Sequence, residues 1–291
     1  MSIAIALVPS LLFGALSLLL GAFPTDIRRQ NTAVMVGAGA VSLGCAAMLG
    51  SPWSLSATVW GVACGLMWTG GQVFVLWAFR AWGVSRTMPL TTALQLLLNA
   101  TLGVSLFGEW RAPGALILGM VALALIMLGA AACSWQERTG PGPTAAQRRD
   151  GLLATAASAV LYGSYPSLLR AVEVPPAHAV GPMGLGLLAG AGLCALILPR
   201  RAPLRGPRIV PAALAGGLWA VGNALMLRST AAVGVASGFT LSQLGFVLAT
   251  IGGRRRRGSR RRPGPHGAGD RHGHRRVPLT VAGALEADLL T

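Results

Sequence analysis

Five amide side chains sit inside otherwise apolar stretches of the chain: Gln72, Gln95, Asn99, Asn223 and Gln243. Thr91, Thr92, Thr240 and Ser242 add hydroxyls to the same stretches. Trp68 precedes Gln72, and Trp219 precedes Asn223, by one helical turn. On a helix that spacing puts ring and amide on one face. Amides and hydroxyls match the hydroxyls of a polyhydroxylated ring, and an indole covers its apolar side. A few placed polar groups between aromatic walls is the usual composition of a small-molecule site. The pattern makes Trp68, Gln72, Thr92, Gln95, Asn99, Trp219, Asn223, Ser242 and Gln243 candidate substrate-binding residues. Two structural uses stay open: amides join helices inside membranes, and tryptophans form belts at the interface.

Other chemistry finds little support. No Ser/His/Asp, di-His or paired-carboxylate set falls within the apolar stretches, so no catalytic residues are expected and the chain does not read as an enzyme. There is no Walker motif to drive a pump with ATP. Cys45, Cys64, Cys133 and Cys194 lack CxxC or Cys/His spacing and read as small packing residues. His266, His272 and His274 lack a spacing that fixes a metal geometry. No metal or cofactor is expected. Asp26, Glu109, Glu137, Asp150 and Glu173 lie at loops or span ends. Glu109 is the candidate for ion coupling, in competition with a helix-end role in a turn. Pro89 and Pro166 read as kinks or breaks. Arg86 reads as a topology or lipid contact, with a gate as the alternative.

The elements that must position these residues are set by composition. The 291 residues are 53% hydrophobic and only 11% charged, with a mean hydropathy of +0.62. Soluble domains carry roughly 25% charged residues, so an ordinary soluble enzyme is excluded, as is a disordered chain. A membrane span needs about 20 apolar residues. Spans are expected at 3–22, 31–50, 56–79, 84–107, 113–134, 151–170, 178–198, 209–228 and 233–252. They must be helices, because lipid satisfies no backbone polar group. The Gly61/Gly65 and Gly186/Gly190 pairs would allow close helix approach. Nothing basic precedes the first apolar run, so that run reads as a span and not as a signal peptide.

All 24 basic residues are Arg, and the formal net charge is +16. Residues 254–291 hold ten Arg against Asp270, Glu286 and Asp288, a net +7. In a membrane protein such charge reads as topology signal and anionic-lipid contact rather than nucleic-acid binding. Alternate loops carry Arg28 and Arg29; Arg80, with Arg86 nearby; Arg138, Arg148 and Arg149; and Arg200, Arg201, Arg205 and Arg208. The intervening loops hold only Arg111, Arg170 and Arg228 or none. The positive-inside rule predicts the N-terminus outside and the tail in the cytoplasm, in a multi-pass protein of the cytoplasmic membrane.

The sequence also repeats itself. Shifted by 151 residues, Trp68 falls on Trp219, Gly71 on Gly222, Gln72 on Asn223, Gly83-Val84 on Gly234-Val235, Leu90 on Leu241 and Thr91 on Ser242. Leu12-Phe13-Gly14 matches Leu161-Tyr162-Gly163 at a shift of 149. The first copy holds five spans, an odd number, so the second enters the membrane from the opposite side. Inverted repeats of this kind organise many secondary transporters, with the substrate near the midplane between the copies.

The residues Gly65 to Gln72, Gly83 to Gln95 and Phe107-Gly108-Glu109-Trp110 resemble the glucose/ribose porter family. That family includes bacterial glucose uptake proteins and belongs to the drug/metabolite transporter superfamily. Gly217 to Asn223 and Val233 to Gln243 resemble it in the second half, and Pro9 to Gly14 and Tyr162 to Pro166 resemble its first and sixth spans. The resemblance covers roughly residues 3–253. It implies an all-α polytopic membrane protein with an inverted repeat of five-helix units. It also implies a carrier of a monosaccharide, glucose- or ribose-like, working by alternating access. Proton coupling is part of what the family implies; facilitated diffusion stays open beside it. Export of drugs or metabolites on the same fold, and a truncated protein that does not transport, are the alternatives.

The expected organisation is a first transmembrane repeat at 1–134, a cytoplasmic inter-repeat loop at 135–150, a second repeat with four recognisable helices at 151–253, and an Arg-rich tail at 254–291. The shift of 151 sends Leu106 to Trp110 onto Arg257 to Arg261, where the family would have a Gly-Glu turn and a tenth span. Arg, Gly, Pro, Ala and His are what GC-rich codons give out of frame, so the tail reads either as frame-shifted or as a genuine basic tail that meets anionic lipid.

Overall fold

The computed structural model describes residues 3–23, 26–134, 142–199 and 203–243. The tail at 254–291, the last part of the expected ninth span and residues 135–141 of the inter-repeat loop lie outside the described residues. Eight long helices follow in order: α1 (Ile3–Ala22), α2 (Ile27–Met48), α3 (Leu55–Trp82), α4 (Val84–Ser105), α5 (Ala115–Ser134), α6 (Ala145–Ala171), α7 (Pro176–Ile197) and α8 (Ile209–Val233). Residues 235–243 are also helical and form α9. No strand occurs among the described residues. The chain is an all-α, multi-pass membrane protein.

Length and composition alone make five of these helices sufficient to cross a bilayer: α2 from Arg28, α3, α6, α7 and α8. α4 has the same number of residues as α2 and α7, but it is diluted by Thr87, Thr91, Thr92, Gln95, Asn99 and Thr101. Its polarity belongs to the interior of the bundle: Thr87, Thr91 and Asn99 are buried. α5 is the reverse case. It packs on α4 and exposes Ile117, Leu118, Val121, Leu125 and Leu128, an apolar surface of the kind lipid covers.

Local signals fix the helix ends. Ser54 accepts from the backbone N–H of Ala57 at the start of α3, and Asp26 accepts from that of Arg29 at the start of α2. α6 starts six residues before the expected span. Thr144 and Gln147 form a capping box there, each side chain bonding the other's backbone N–H. Its first turns carry Arg148, Arg149 and Asp150, so the helix continues past the apolar stretch into water. α3 and α8 likewise run on past their expected ends to Trp82 and Val233, where Gly83 and Gly234 break the chain. These glycines have φ 94° and 95°, a conformation that L side chains rarely adopt.

The bundle is symmetric in its pairings. α3 packs on α6 and α7, α8 packs on α1 and α2, and α2 packs on α7. Exchanging α1 with α6, α2 with α7 and α3 with α8 leaves this set unchanged. The close contacts obey the same exchange. A Cβ at Gly65 would meet the carbonyl oxygen of Met183, and one at Gly216 that of Val34. Gly186 presses on the carbonyl of Val62, and Gly37 on that of Ala213. The Gly61/Gly65 and Gly186/Gly190 pairs do face each other across α3 and α7: Gly65 lies against Gly186, Gly61 against Pro182 and Gly190 against Thr69. Small residues here let backbones touch, which replaces the hydrophobic drive that is missing between helices in lipid.

Candidate functional site

Midway along α3 and α8 the two repeats meet ring to ring. Trp68 and Trp219 lie 4.4 Å apart between ring centroids, tilted by 44°. Both are nearly buried, at 9% and 6% exposure. Tyr162 of α6 completes the cluster, 5.6 Å from Trp68. The symmetry extends to the small residues beneath the rings. Tyr162 lies over Gly71, where a Cβ would come within 2.7 Å of its ring, and Phe13 lies over Gly222, where the approach would be 2.8 Å. Tyr162 and Phe13 are themselves repeat partners.

Each tryptophan has its amide beside it. The hydroxyl of Tyr162 donates to Oε1 of Gln72, and Nε2 of Gln72 donates to Oδ1 of Asn31 at 2.7 Å. Asn223 is 1% exposed. It accepts from the hydroxyl of Tyr165 at 2.7 Å and donates to the sulfur of Met183 at 3.4 Å. The result is an aromatic wall from both repeats, flanked by two amide–tyrosine pairs, in a low-dielectric interior where such bonds are strong.

The other candidate residues spread along neighbouring seams. Gln95 and Asn99 of α4 lie against Gly163, next to Tyr162. Asn99 is fully buried; it donates to the carbonyl of Gln95 and accepts from the Ser167 hydroxyl at 3.4 Å, so it ties α4 to α6. Thr92 is half-buried on the same helix. The Thr91 hydroxyl, and that of Ser158 one turn before Tyr162, are buried without a hydrogen-bond partner among the described residues. Ser242 donates to the carbonyl of Phe239 in its own helix, and Gln243 donates to Ser242. Among the described residues no hydrogen bond joins these last two to the Trp68–Trp219 cluster.

Glu109 stands apart from the cluster. Its carboxylate accepts from the backbone N–H groups of Val235 and Ala236, at 2.7 and 2.9 Å, and pairs with Arg170. It therefore caps α9 from across the repeat boundary, where helix N–H groups have no intrahelical partner. No cluster of three His, Cys, Asp or Glu side chains suited to a metal ion occurs among the described residues. Cys64 and Cys194 are buried and free, as packing residues would be.

A family model described as sugar transport protein matches residues 4–255. The chain belongs to the sugar transport protein family. A Listeria innocua protein whose name assigns it to sugar uptake is 34% identical over 256 residues, covering 87% of each chain. The glucose uptake protein GlcU of Bacillus subtilis is 32% identical over 257 residues, again with 87% of each covered. A solved crystal structure with 20% identity superposes with a TM-score of 0.55 over 87% of this chain and 97% of that one, which shows the fold alone. The family match ends where the Arg-rich stretch begins.

In this sugar transport protein the site owes as much to Tyr162, Tyr165 and Asn31 as to the residues picked out from sequence. The two tyrosines carried one usable signal: they are the only tyrosines of the chain, and both fall mid-span on α6. Nothing in the linear pattern ties Asn31, near the start of α2, to Gln72.

Proposed function

We propose that this chain is a secondary transporter that carries a monosaccharide, glucose-like or ribose-like, across the cytoplasmic membrane by alternating access. The observation that carries the reading is the contact of Trp68 with Trp219 at repeat-matched positions, with Gln72 and Asn223 beside them. The indoles supply a face for the apolar side of a sugar ring. Gln72, Asn223, Tyr162 and Tyr165 supply donors and acceptors that a sugar hydroxyl can replace one for one. Each of those groups is now paired with another, so exchange for a hydroxyl leaves no buried polar atom unsatisfied, and this keeps the cost of entry low. The names of the relatives, sugar uptake and glucose uptake, point to the same substrate class.

The five-helix first repeat and the second repeat of four recognisable helices are read as inverted, and they rock about this contact to expose it to one side and then the other. By the positive-inside rule the Arg-poor loops 49–54, 106–114 and 172–175 are read as outside and the Arg-rich loops as inside. Arg28 and Arg29 at the inner end donate to the carbonyls of Ala195 and Pro203. Arg28 thereby serves the end of α7, as a cation at a helix C-terminus does, besides meeting anionic lipid. Glu109 is held in a cap and an ion pair, which favours facilitated diffusion over proton coupling through this residue. Labelled glucose and ribose entering proteoliposomes that hold the purified protein, with competition between them, tests the reading. Export of hydrophobic cations without sugar flux would contradict it.

A further inference from the structure

Between α6, α7 and α8, at the end of the bundle that holds Glu109, lies a cavity of about 180 Å3. Pro166, Leu169, Arg170, Leu227 and Thr230 line it. Its position relative to the central site follows from the sequence of its walls. Pro166 directly follows Tyr165, and Leu227 lies one helical turn beyond Asn223. The Tyr165–Asn223 hydrogen bond therefore stands between this cavity and the Trp68–Trp219 cluster. Arg170 belongs to both the cavity and the Glu109 pair: it lines the first, while its guanidinium is bound by the second and lies 4.3 Å from the Phe107 ring centroid.

The tie crosses the repeat boundary more than once. Glu109 is in the α4–α5 connection of the first repeat, whereas Arg170, Val235 and Ala236 belong to the second. Trp110 adds a bond from its indole N–H to the Ser237 hydroxyl at 3.4 Å. Its backbone is in the left-handed region at φ 61°, a costly conformation for a bulky residue that persists only where its surroundings hold it. The Glu109 side chain is only 9% exposed, against 34% for Arg170. If the repeats move against each other, these bonds must break.

We propose that the Arg170–Glu109 pair is the outer gate of the transport path, and that the cavity walled by Arg170 is the vestibule through which sugar approaches the Tyr165–Asn223 bond. The gate rests on the alternating-access reading, but its test needs no sugar. Glu109 holds Arg170 in place as a wall of the vestibule and, through α9, holds the second repeat against the first. Release of Arg170 frees the wall alone, whereas loss of the Glu109 carboxylate frees both.

The test is the rate at which a membrane-impermeant maleimide, added from the outer side, labels Thr230→Cys in a full-length chain whose four native cysteines are replaced. An Ala112→Cys chain, exposed on the neighbouring loop, gives the reference rate. The expected result is slow labelling with the pair intact and labelling at least fivefold faster with Glu109→Gln. This variant is decisive because Glu109 does not line the cavity. Arg170→Gln, which leaves the Glu109 cap on α9, is expected to label faster as well, and Arg170→Lys, which can still pair, to return to within twofold of the intact chain. Equal rates in all four chains, or equal rates for Arg170→Gln and Arg170→Lys, would overturn the gate. Faster labelling in Glu109→Gln supports it even where no sugar flux is found, so its failure and that of the sugar reading are distinct.

Discussion

Trp68 and Trp219, 151 positions apart in the chain, make a tilted contact with ring centroids 4.4 Å apart where the two repeats meet. A separation of 4.4 Å leaves no room for a ligand between the rings, so in the proposed site a sugar parts them or lies against one outer face. Loss of one ring removes half the wall. Trp68→Ala is expected to lower sugar uptake to background while leaving the amount of protein in the membrane unchanged, as measured by blotting alongside uptake. Trp219→Ala should behave alike, because the proposed site draws one ring from each repeat.

Tyr162 and Phe13 separate packing from hydrogen bonding at one site. Both rings cover a repeat-matched glycine, but only Tyr162 carries a hydroxyl, bound to Gln72. Tyr162→Phe keeps the ring and removes one hydrogen bond. A bond of this kind contributes on the order of 1 kcal/mol, and about 1.4 kcal/mol is tenfold in affinity. The expected outcome is a KM raised about five- to tenfold with little change in thermal stability. An unchanged KM would mean that the Tyr162–Gln72 pair only joins α3 to α6.

Gly83 and Gly234 hold the same backbone shape, φ 94° and ψ 155° against φ 95° and ψ 157°. An L residue at either position is strained by roughly 1–3 kcal/mol. At Gly234 a Cβ would also come within 2.5 Å of the Glu109 carboxyl. Gly83→Ala is expected to lower the apparent Tm in detergent, and Gly234→Ala to lower it further, because only the second also displaces the α9 cap. Equal shifts would show that the carboxylate yields without cost.

Much of this was legible in sequence. The spans follow from apolar runs, and the repeat from matched tryptophans, glycines and amides. The pairing of Trp68 with Trp219 was implied by symmetry but not by any local pattern. Helix ends were less legible, since α6 begins in water at its Thr144–Gln147 capping box and α8 continues through Arg228. Hydrogen-bond partners on other helices were not legible at all. Asn31, Tyr165 and Arg170 reach their partners across 41, 58 and 61 residues, and only packing decides such distances. Asn99 shows the converse: an amide singled out for a ligand also serves to join α4 to α6.

The family match stops at residue 255, and the repeat stops with it: Glu109 corresponds to Arg260 at a shift of 151. We propose a change of reading frame near residue 253, with a genuine basic tail as the alternative. Sequencing the gene and translating all three frames is expected to find a Gly-Glu turn followed by an apolar span. Its absence from every frame would make the basic tail genuine.

The most direct test of the central claim is counterflow of labelled glucose in proteoliposomes containing the purified chain, compared with its Trp68→Ala and Gln72→Ala variants. The account predicts accumulation driven by unlabelled internal sugar, saturable and lost in both variants at equal protein incorporation. No sugar flux in the unmodified chain, or full flux in both variants, would contradict it.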